Sequence, residues 1–380
     1  MPADGRTRVL VINDSLNVGG AERVAVDIAN SLDRDRFEVS FCSTRVDGPL
    51  REFLRDDVPV EVLGRRATWD LAKLVSLARV VRERRIDIVH SHGRGTLKFV
   101  ALAQQLGLVR AKHVFHDHFG WLHIDRGASW GLRQALQRSV DAYVGVDTRL
   151  CNWARTAGGV PEDRIHLVRS GVDVSRFDEV TPVDLRAELG LDPSTYVLVM
   201  VANYRPQKDH PTLFRAMAEL PEELRSRMRL VVCGSTTADV AYHASCTAMA
   251  ERLGISDLIV EIGARDDVAG ILAGADGAVL SSKNETGPLV VLEYMASGLP
   301  FVATDTGEIV RAVRDLDVGF IPAPRDHHEI ADALVALLTQ SEEERRAMGA
   351  RGRRAVEEQF SQQVAIRLIE EIYAVVQARR

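Results

Sequence analysis

The sequence predicts an α/β protein made of two Rossmann-like, doubly wound domains, each a parallel sheet with helices on both faces. Three observations carry that expectation. The chain has 380 residues, longer than one ordinary core and suited to two domains of about 150–200 residues. Short β-branched runs alternate with amphipathic segments along its whole length, the pattern of parallel sheets joined by helical crossovers. Its composition, 46% hydrophobic and 27% charged, is that of a globular protein and excludes disordered and fibrous classes.

In the first half, Arg8–Asn13 reads as a buried strand and Ala21–Leu32 as a helix with Val24, Ala25, Ile28 and Leu32 on one face. Between them lies a loop ending in Gly19-Gly20, where backbone N–H groups at a helix N-terminus can cradle a phosphate. Strand signals follow at Phe37–Ser43, Val58–Leu63, Ile86–Ser91 and up to His116, with helices expected at Leu71–Arg84 and Thr96–Leu106. Ligands of open α/β sheets bind beyond the carboxyl ends of the strands. Those ends carry Asn13, His90-Ser-His92 and His116-Asp-His118, and the loops Arg94–Lys98 and Gly120–Gly127 would lie beside them. His116-Asp-His118 also admits a metal reading, but no third ligand is evident. A helix at Ser129–Val140, a strand at Ala142–Val146 and a helix at Arg149–Ala157 complete this half.

The segment Phe177–Thr195 looks like a linker, and the second half opens with the apolar run Tyr196–Asn203, suited to a central parallel strand. It leads into Tyr204-Arg205-Pro-Gln-Lys208, where a guanidinium and an ammonium on a strand-to-helix turn suit phosphate oxygens. Strands at Leu230–Cys233, Leu258–Ile262 and Gly277–Leu280 alternate with helices. Ser281–Glu308 then reads SSKNETGPLVVLEYMASGLPFVATDTGE, a polar loop, an apolar helix opened by Pro288, and a turn into a short strand. Glu293 falls inside that helix, where a charge is costly without a partner. A strand near Phe320–Ile321, helices at Asp326–Leu338 and Glu342–Glu358, and a terminal segment Ser361–Arg379 close the chain.

Glu285, seven intervening residues and Glu293, followed by Tyr-Met-Ala-Ser-Gly-Leu-Pro and Ala-Thr-Asp-Thr-Gly-Glu, resemble the donor-site signature of the family 4 retaining glycosyltransferases. Gly19-Gly20 with Ala21-Glu22, and Gly171-Val-Asp173 through Phe177, resemble further landmarks of that family. The resemblance implies the GT-B fold, two Rossmann-like domains facing a central cleft: 1–175 for the acceptor, 176–360 for the nucleotide sugar, and a terminal helix, 361–380, returning to the first. It implies that Glu285 contacts the sugar, Glu293 the ribose hydroxyls, and Gly19 and Gly20 the diphosphate. Arg205, Lys208, Gly287, Pro288 and Leu289 are the further donor contacts, with Arg265 and Asp267 on the turn that resembles the base-binding one. His118, Lys208 and Glu285 are the catalytic candidates; His92, Arg94, His116 and Trp121 are the acceptor candidates. Two departures stand out: Thr286 occupies the usual glycine after the first glutamate, and Asn203 the usual arginine position.

The expected function is therefore retaining transfer of a hexose or N-acetylhexosamine from a nucleotide-diphosphate sugar, most readily a UDP-sugar, to an acceptor hydroxyl. The acceptor is left open between a sugar, an aminocyclitol, a glycan and a lipid-linked glycan. The alternatives are a nucleotide-sugar epimerase or hydrolase of the same fold, and an inactive nucleotide-sugar-binding protein. No Asp-x-Asp motif follows a strand, so no metal and no cofactor beyond the substrate is expected. The net charge of −6 and the lack of a basic, aromatic-laced stripe argue against nucleic acid. Cys42, Cys151, Cys233 and Cys246 have neither disulfide nor zinc spacing, and with no apolar leader or membrane span they point to the cytoplasm. The basic Leu71–Arg85 stretch allows peripheral contact with an anionic membrane, but such a run is more often the solvated face of a packed helix, and Leu74, Leu77, Ala78 and Val81 supply the core stripe.

Overall fold

The computed structural model describes residues 5–118 and 127–379. The chain divides into two compact units, Met1–Ser170 with Ala365–Arg380, and Gly171–Val364. In the first, strands β1 (Thr7–Ser15), β2 (Phe37–Val46), β3 (Val60–Val62), β4 (Ile88–His92), β5 (Lys112–Asp117), β6 (Ala142–Gly145) and β7 (Ile165–Leu167) form one sheet in the order β3-β2-β1-β4-β5-β6-β7. Every pairing is parallel, the arrangement that requires crossovers and buries both faces.

The central strand shows how the faces divide. Val9 and Val11 pack with Ala25, Val26 and Ile28 of the helix Gly20–Ser31, and with Ile366, Ile369, Ile372, Tyr373 and Val376 near the chain's end. Leu10 and Ile12 point the opposite way, toward Leu74, Leu77, Phe99 and Val100. Period-two alternation along one strand thus feeds two cores. The helix Leu71–Glu83 is capped by Asp70, whose side chain accepts from Lys73 N at 3.4 Å, and buries Leu74, Leu77, Val80 and Val81. Its outer side exposes Leu71, Val75, Arg79 and Arg82, with Trp69 just before it. Among the described residues, no helix is long and apolar enough to cross a membrane.

The second unit repeats the plan with β8 (Tyr196–Val201), β9 (Met228–Cys233), β10 (Ile259–Gly263), β11 (Gly277–Leu280), β12 (Phe301–Ala303) and β13 (Gly319–Phe320), again all parallel, in the order β10-β9-β8-β11-β12-β13. In both sheets the order reverses beside the first strand, between β1 and β4 and between β8 and β11. Such a switch point opens a crevice at the strands' carboxyl ends.

Local differences from the sequence reading have physical reasons. The helix expected from Thr96 begins at Arg94, because Gly93 at φ 81° turns the chain directly out of β4. Arg94–Lys98 is therefore helix, not loop. Pro288 is the cap residue, with Leu289 the first helical position, so the proline stands one place earlier than expected. The strand expected over Val58–Leu63 shortens to Val60–Val62 at the sheet edge.

Candidate active site

At the switch point of the second sheet the loops following β8 and β11 are laced together. Lys283 N donates to the Gln207 carbonyl at 2.8 Å, and Ser281 Oγ to the Lys208 carbonyl at 2.8 Å. Gln207 Nε2 donates to the Asn284 carbonyl at 2.8 Å and to Glu285 Oε2 at 3.1 Å. Across this lacing Lys208 Nζ lies 2.7 Å from Glu285 Oε1, which also accepts from Ser282 Oγ at 2.8 Å. Asp209, next in sequence, adopts φ 52° and ion-pairs with Lys283 Nζ at 3.4 Å. Its left-handed backbone turns the chain from the Lys208 loop into the helix His210–Ala218.

The Glu285 loop is held from behind by the start of the helix Gly307–Val313. Glu308 N donates to the Thr286 carbonyl at 2.7 Å, and Thr304 Oγ1 to the Ser282 carbonyl at 2.7 Å. Gly307 has φ 81°, and a Cβ there would stand 2.7 Å from Pro288 Cδ and 3.2 Å from Glu285 Cβ. Gly287 is different: a Cβ would meet only Ile309 at 3.6 Å, an ordinary contact. The helix Leu289–Ala296 then starts without a side-chain cap, leaving its first N–H groups toward the loop.

Glu293 projects from that helix with its carboxylate mostly buried and, among the described residues, without a hydrogen bond. Burial pushes its carboxyl above the usual carboxylate range, and the Arg176 charge pulls partly back. Arg205 is exposed, and among the described residues no hydrogen bond or ion pair engages its guanidinium. Asn203, at the position where the resemblance implies arginine, accepts from Ser235 N at 2.8 Å and so extends the β8 and β9 ladder. Arg265 grips Asp267 with two hydrogen bonds of 2.8 and 2.6 Å and Glu188 with a third of 2.7 Å. Both side chains are thus engaged within the folded chain.

In the first unit Gly19 caps the helix Gly20–Ser31, and the Glu22 carboxylate folds back so closely that a Cβ on Gly19 would meet its Oε2 at 2.3 Å. Four histidines gather at the ends of β4 and β5. His92 Nδ1 lies 3.1 Å from His118 Nε2, and His116 stacks on His118 at 4.3 Å between centroids. His92 and His116 are 0% and 2% exposed, so their rings line the interior rather than the surface. Burial holds the His118 imidazole neutral, its pKa lowered to about 4. The Arg94 guanidinium turns onto the Trp153 ring at 4.0 Å and toward Asp117 Oδ2 at 3.5 Å. Trp121 lies outside the described residues.

Sequence reasoning missed Gln207 and Ser282, which position Glu285, and a buried group in the first unit. There Arg65, 4% exposed, donates to Thr44 Oγ1 at 2.8 Å and to Asp14 Oδ1, which also accepts from Thr44 Oγ1 at 2.7 Å. The only available signal was Asp14 at a strand end; nothing local marks Arg65.

Two family comparisons divide the chain between them. Residues 18–176 match Glycosyltransferase Family 4, and residues 184–355 match Glycosyl transferases group 1. The chain belongs to the family 4, group 1 glycosyltransferases. Across this family it is 27% identical over 367 residues to N-acetyl-alpha-D-glucosaminyl L-malate synthase of Bacillus anthracis, covering 94% of each chain. It is 32% identical over 197 residues to D-inositol 3-phosphate glycosyltransferase of Nocardia farcinica, covering 51% of this chain and 44% of that one. The HepE protein of Anabaena, solved in complex with UDP, shares the GT-B fold at a TM-score of 0.83 and 21% identity, over 97% of this chain and 100% of that one. As a family 4 member the chain is a glycosyltransferase acting on sugars, with two parallel sheets of 7 and 6 strands.

Proposed function

We propose that the protein is a retaining glycosyltransferase that moves a hexose or N-acetylhexosamine from a UDP-sugar to a hydroxyl of a small, polar, anionic acceptor, without a catalytic metal. The observation that carries this reading is the Lys208–Glu285 pair, 2.7 Å apart at the switch point of the second sheet. As the bond between anomeric carbon and diphosphate breaks, negative charge grows on the phosphates and positive charge on the sugar carbon. Lys208 is a compact cation for the first, Arg205 supplies a second donor, and the uncapped amides at Leu289 offer a partial positive charge. Preorganised protein charge of this kind does the work that a divalent ion does elsewhere.

Glu285 is a carboxylate held by Ser282, Gln207 and Lys208, apt for accepting from sugar hydroxyls. Among the described residues Glu293 has no hydrogen-bond partner, and two vicinal ribose hydroxyls would satisfy both its oxygens. Retention follows if the acceptor hydroxyl attacks from the face the diphosphate leaves, passing its proton to a phosphate oxygen. The UDP complex of HepE and the N-acetylglucosaminyl product named for the Bacillus relative support the donor. L-malate and D-inositol 3-phosphate, in the relatives' names, are both small hydroxylated anions, which supports the acceptor class.

The test is proton NMR of the full chain with UDP-N-acetylglucosamine or UDP-glucose, with and without L-malate or an inositol phosphate, and no added Mg²⁺ or Mn²⁺. Acceptor-dependent release of UDP with an α-configured product is expected. Consumption of donor without acceptor would replace this reading by hydrolysis or epimerisation. A donor that binds but is never consumed would leave a binding protein.

A further inference from the structure

Behind His118 the first unit holds three histidines that the transfer chemistry does not use. His92 and His116 are register partners on adjacent strands, and His90 lies two residues before His92, so all three project from one face. Their ring centroids are 4.6 Å apart for His90 and His92, 5.4 Å for His90 and His116, and 5.1 Å for His92 and His116. All are at least nine-tenths buried, at 0%, 0% and 2% exposure. Among the described residues, Nε2 of His90, Nε2 of His92 and both nitrogens of His116 are buried without a hydrogen-bond partner. One donor atom from each ring lies within 4.8 Å of the others. A fold that simply buried three histidines would be expected to give these nitrogens partners.

We propose that His90, His92 and His116 form a binding site for a divalent transition-metal ion of the zinc class, set into the first unit at the ends of β4 and β5. Three imidazoles with no carboxylate suit Zn²⁺ and its neighbours rather than Mg²⁺ or Ca²⁺. The far sides of two rings are already arranged as ligands require. His90 Nδ1 meets the buried Tyr373 hydroxyl at 2.6 Å, and His92 Nδ1 meets His118 Nε2 at 3.1 Å. With Nδ1–H donating in each case, the Nε2 lone pairs are left for the ion, which is the outer-shell arrangement that orients metal-binding histidines. Reaching zinc–nitrogen distances of about 2.1 Å requires the rings to draw together by roughly 1 Å. Occupancy would fix His118 as the acceptor of the His92 N–H, and so set which of its nitrogens carries the proton.

The test is titration of the untagged, chelator-stripped full chain with Zn²⁺ by calorimetry. Among the described residues one other group has comparable spacing, the more exposed Glu219, His327 and His328. A His327→Ala/His328→Ala variant removes it. This variant should still bind one equivalent at micromolar affinity or tighter, and X-ray absorption should show a shell of three imidazoles. Tyr373→Phe should weaken binding about 10–100-fold, and His116→Asn should abolish it. No binding by the parent chain, loss in the His327→Ala/His328→Ala variant, or a shell with fewer than three imidazoles overturns the site. The spectroscopic arm does not depend on whether His116→Asn folds.

Discussion

Lys208 Nζ and Glu285 Oε1, 77 residues apart in sequence, meet at 2.7 Å where β8 and β11 end. The pair joins the cation proposed for the diphosphate to the carboxylate proposed for the sugar, so each holds the other in place before donor arrives. Lys208→Ala should lower kcat by about 100–1,000-fold, the usual effect of removing one preorganised donor. Lys208→Ala and Glu285→Ala together should cost less than the sum of their separate effects in activation free energy, because the residues share one interaction. Steady-state kinetics of the two single variants and the double variant checks both statements.

Glu293 is a buried carboxylate whose pKa is raised by burial. The folded chain therefore holds a proton that the unfolded chain has released, and stability falls as pH rises from the ordinary carboxylate range through the raised value. Glu293→Gln should raise the melting temperature at pH 7, and the gain should shrink as pH is lowered toward 4.5. The same variant should bind UDP-sugar more weakly. Melting curves across pH, with and without donor, separate the two effects.

Gly307 and Gly287 lie on either side of the glutamate loop but face different constraints. Gly307→Ala forces a Cβ into the left-handed region at φ 81° and to 2.7 Å from Pro288 Cδ. It should cost at least about 1–2 kcal/mol. Gly287→Ala meets an ordinary contact, so the fold should be unaffected within about 0.5 kcal/mol. Urea denaturation of the two variants measures the difference. If Gly287→Ala nevertheless weakens donor binding, the glycine is there for the ligand and not for the loop.

His113 gives the first unit an acid sensitivity. It is fully buried, its Nδ1–H donates to the Ser139 carbonyl at 3.0 Å and its Nε2 accepts from Ser91 Oγ at 2.7 Å, and burial lowers its pKa from 6.5 to about 4. Between those values the unfolded chain takes up a proton that the folded chain refuses. Stability from this group is complete above pH 6.5 and is lost progressively as pH falls to about 4, by about 3 kcal/mol in all. His113→Gln should flatten the pH dependence of unfolding across that window.

The architecture was legible because parallel strands buried on both faces announce themselves as apolar runs, as at Val9–Ile12 and Val197–Met200. The placement of Glu285 and Lys208 on strand-to-helix loops was legible too, since Pro288, Gly307 and the apolar helix between Leu289 and Ala296 punctuate the chain there. What holds them was not. Gln207 reaches Glu285 across 78 residues of sequence, and Arg65 reaches Asp14 across 51, contacts that only strand order creates. The burial of His92 and His116 was equally hidden. Their spacing shows that they share a face of the sheet, but not that Tyr373, from the end of the chain, covers the neighbouring His90.

The central claim is that the loops after β8 and β11, with Glu293, hold a nucleotide sugar. Its most direct test is calorimetric titration of the full chain with UDP-N-acetylglucosamine and UDP-glucose, repeated with Lys208→Ala and Glu293→Ala. One equivalent of at least one UDP-sugar should bind to the parent chain, with affinity about 10-fold or more weaker in each variant, the loss expected for a charged hydrogen bond. Binding of equal strength in all three proteins, or of no UDP-sugar to the folded parent chain, would contradict it.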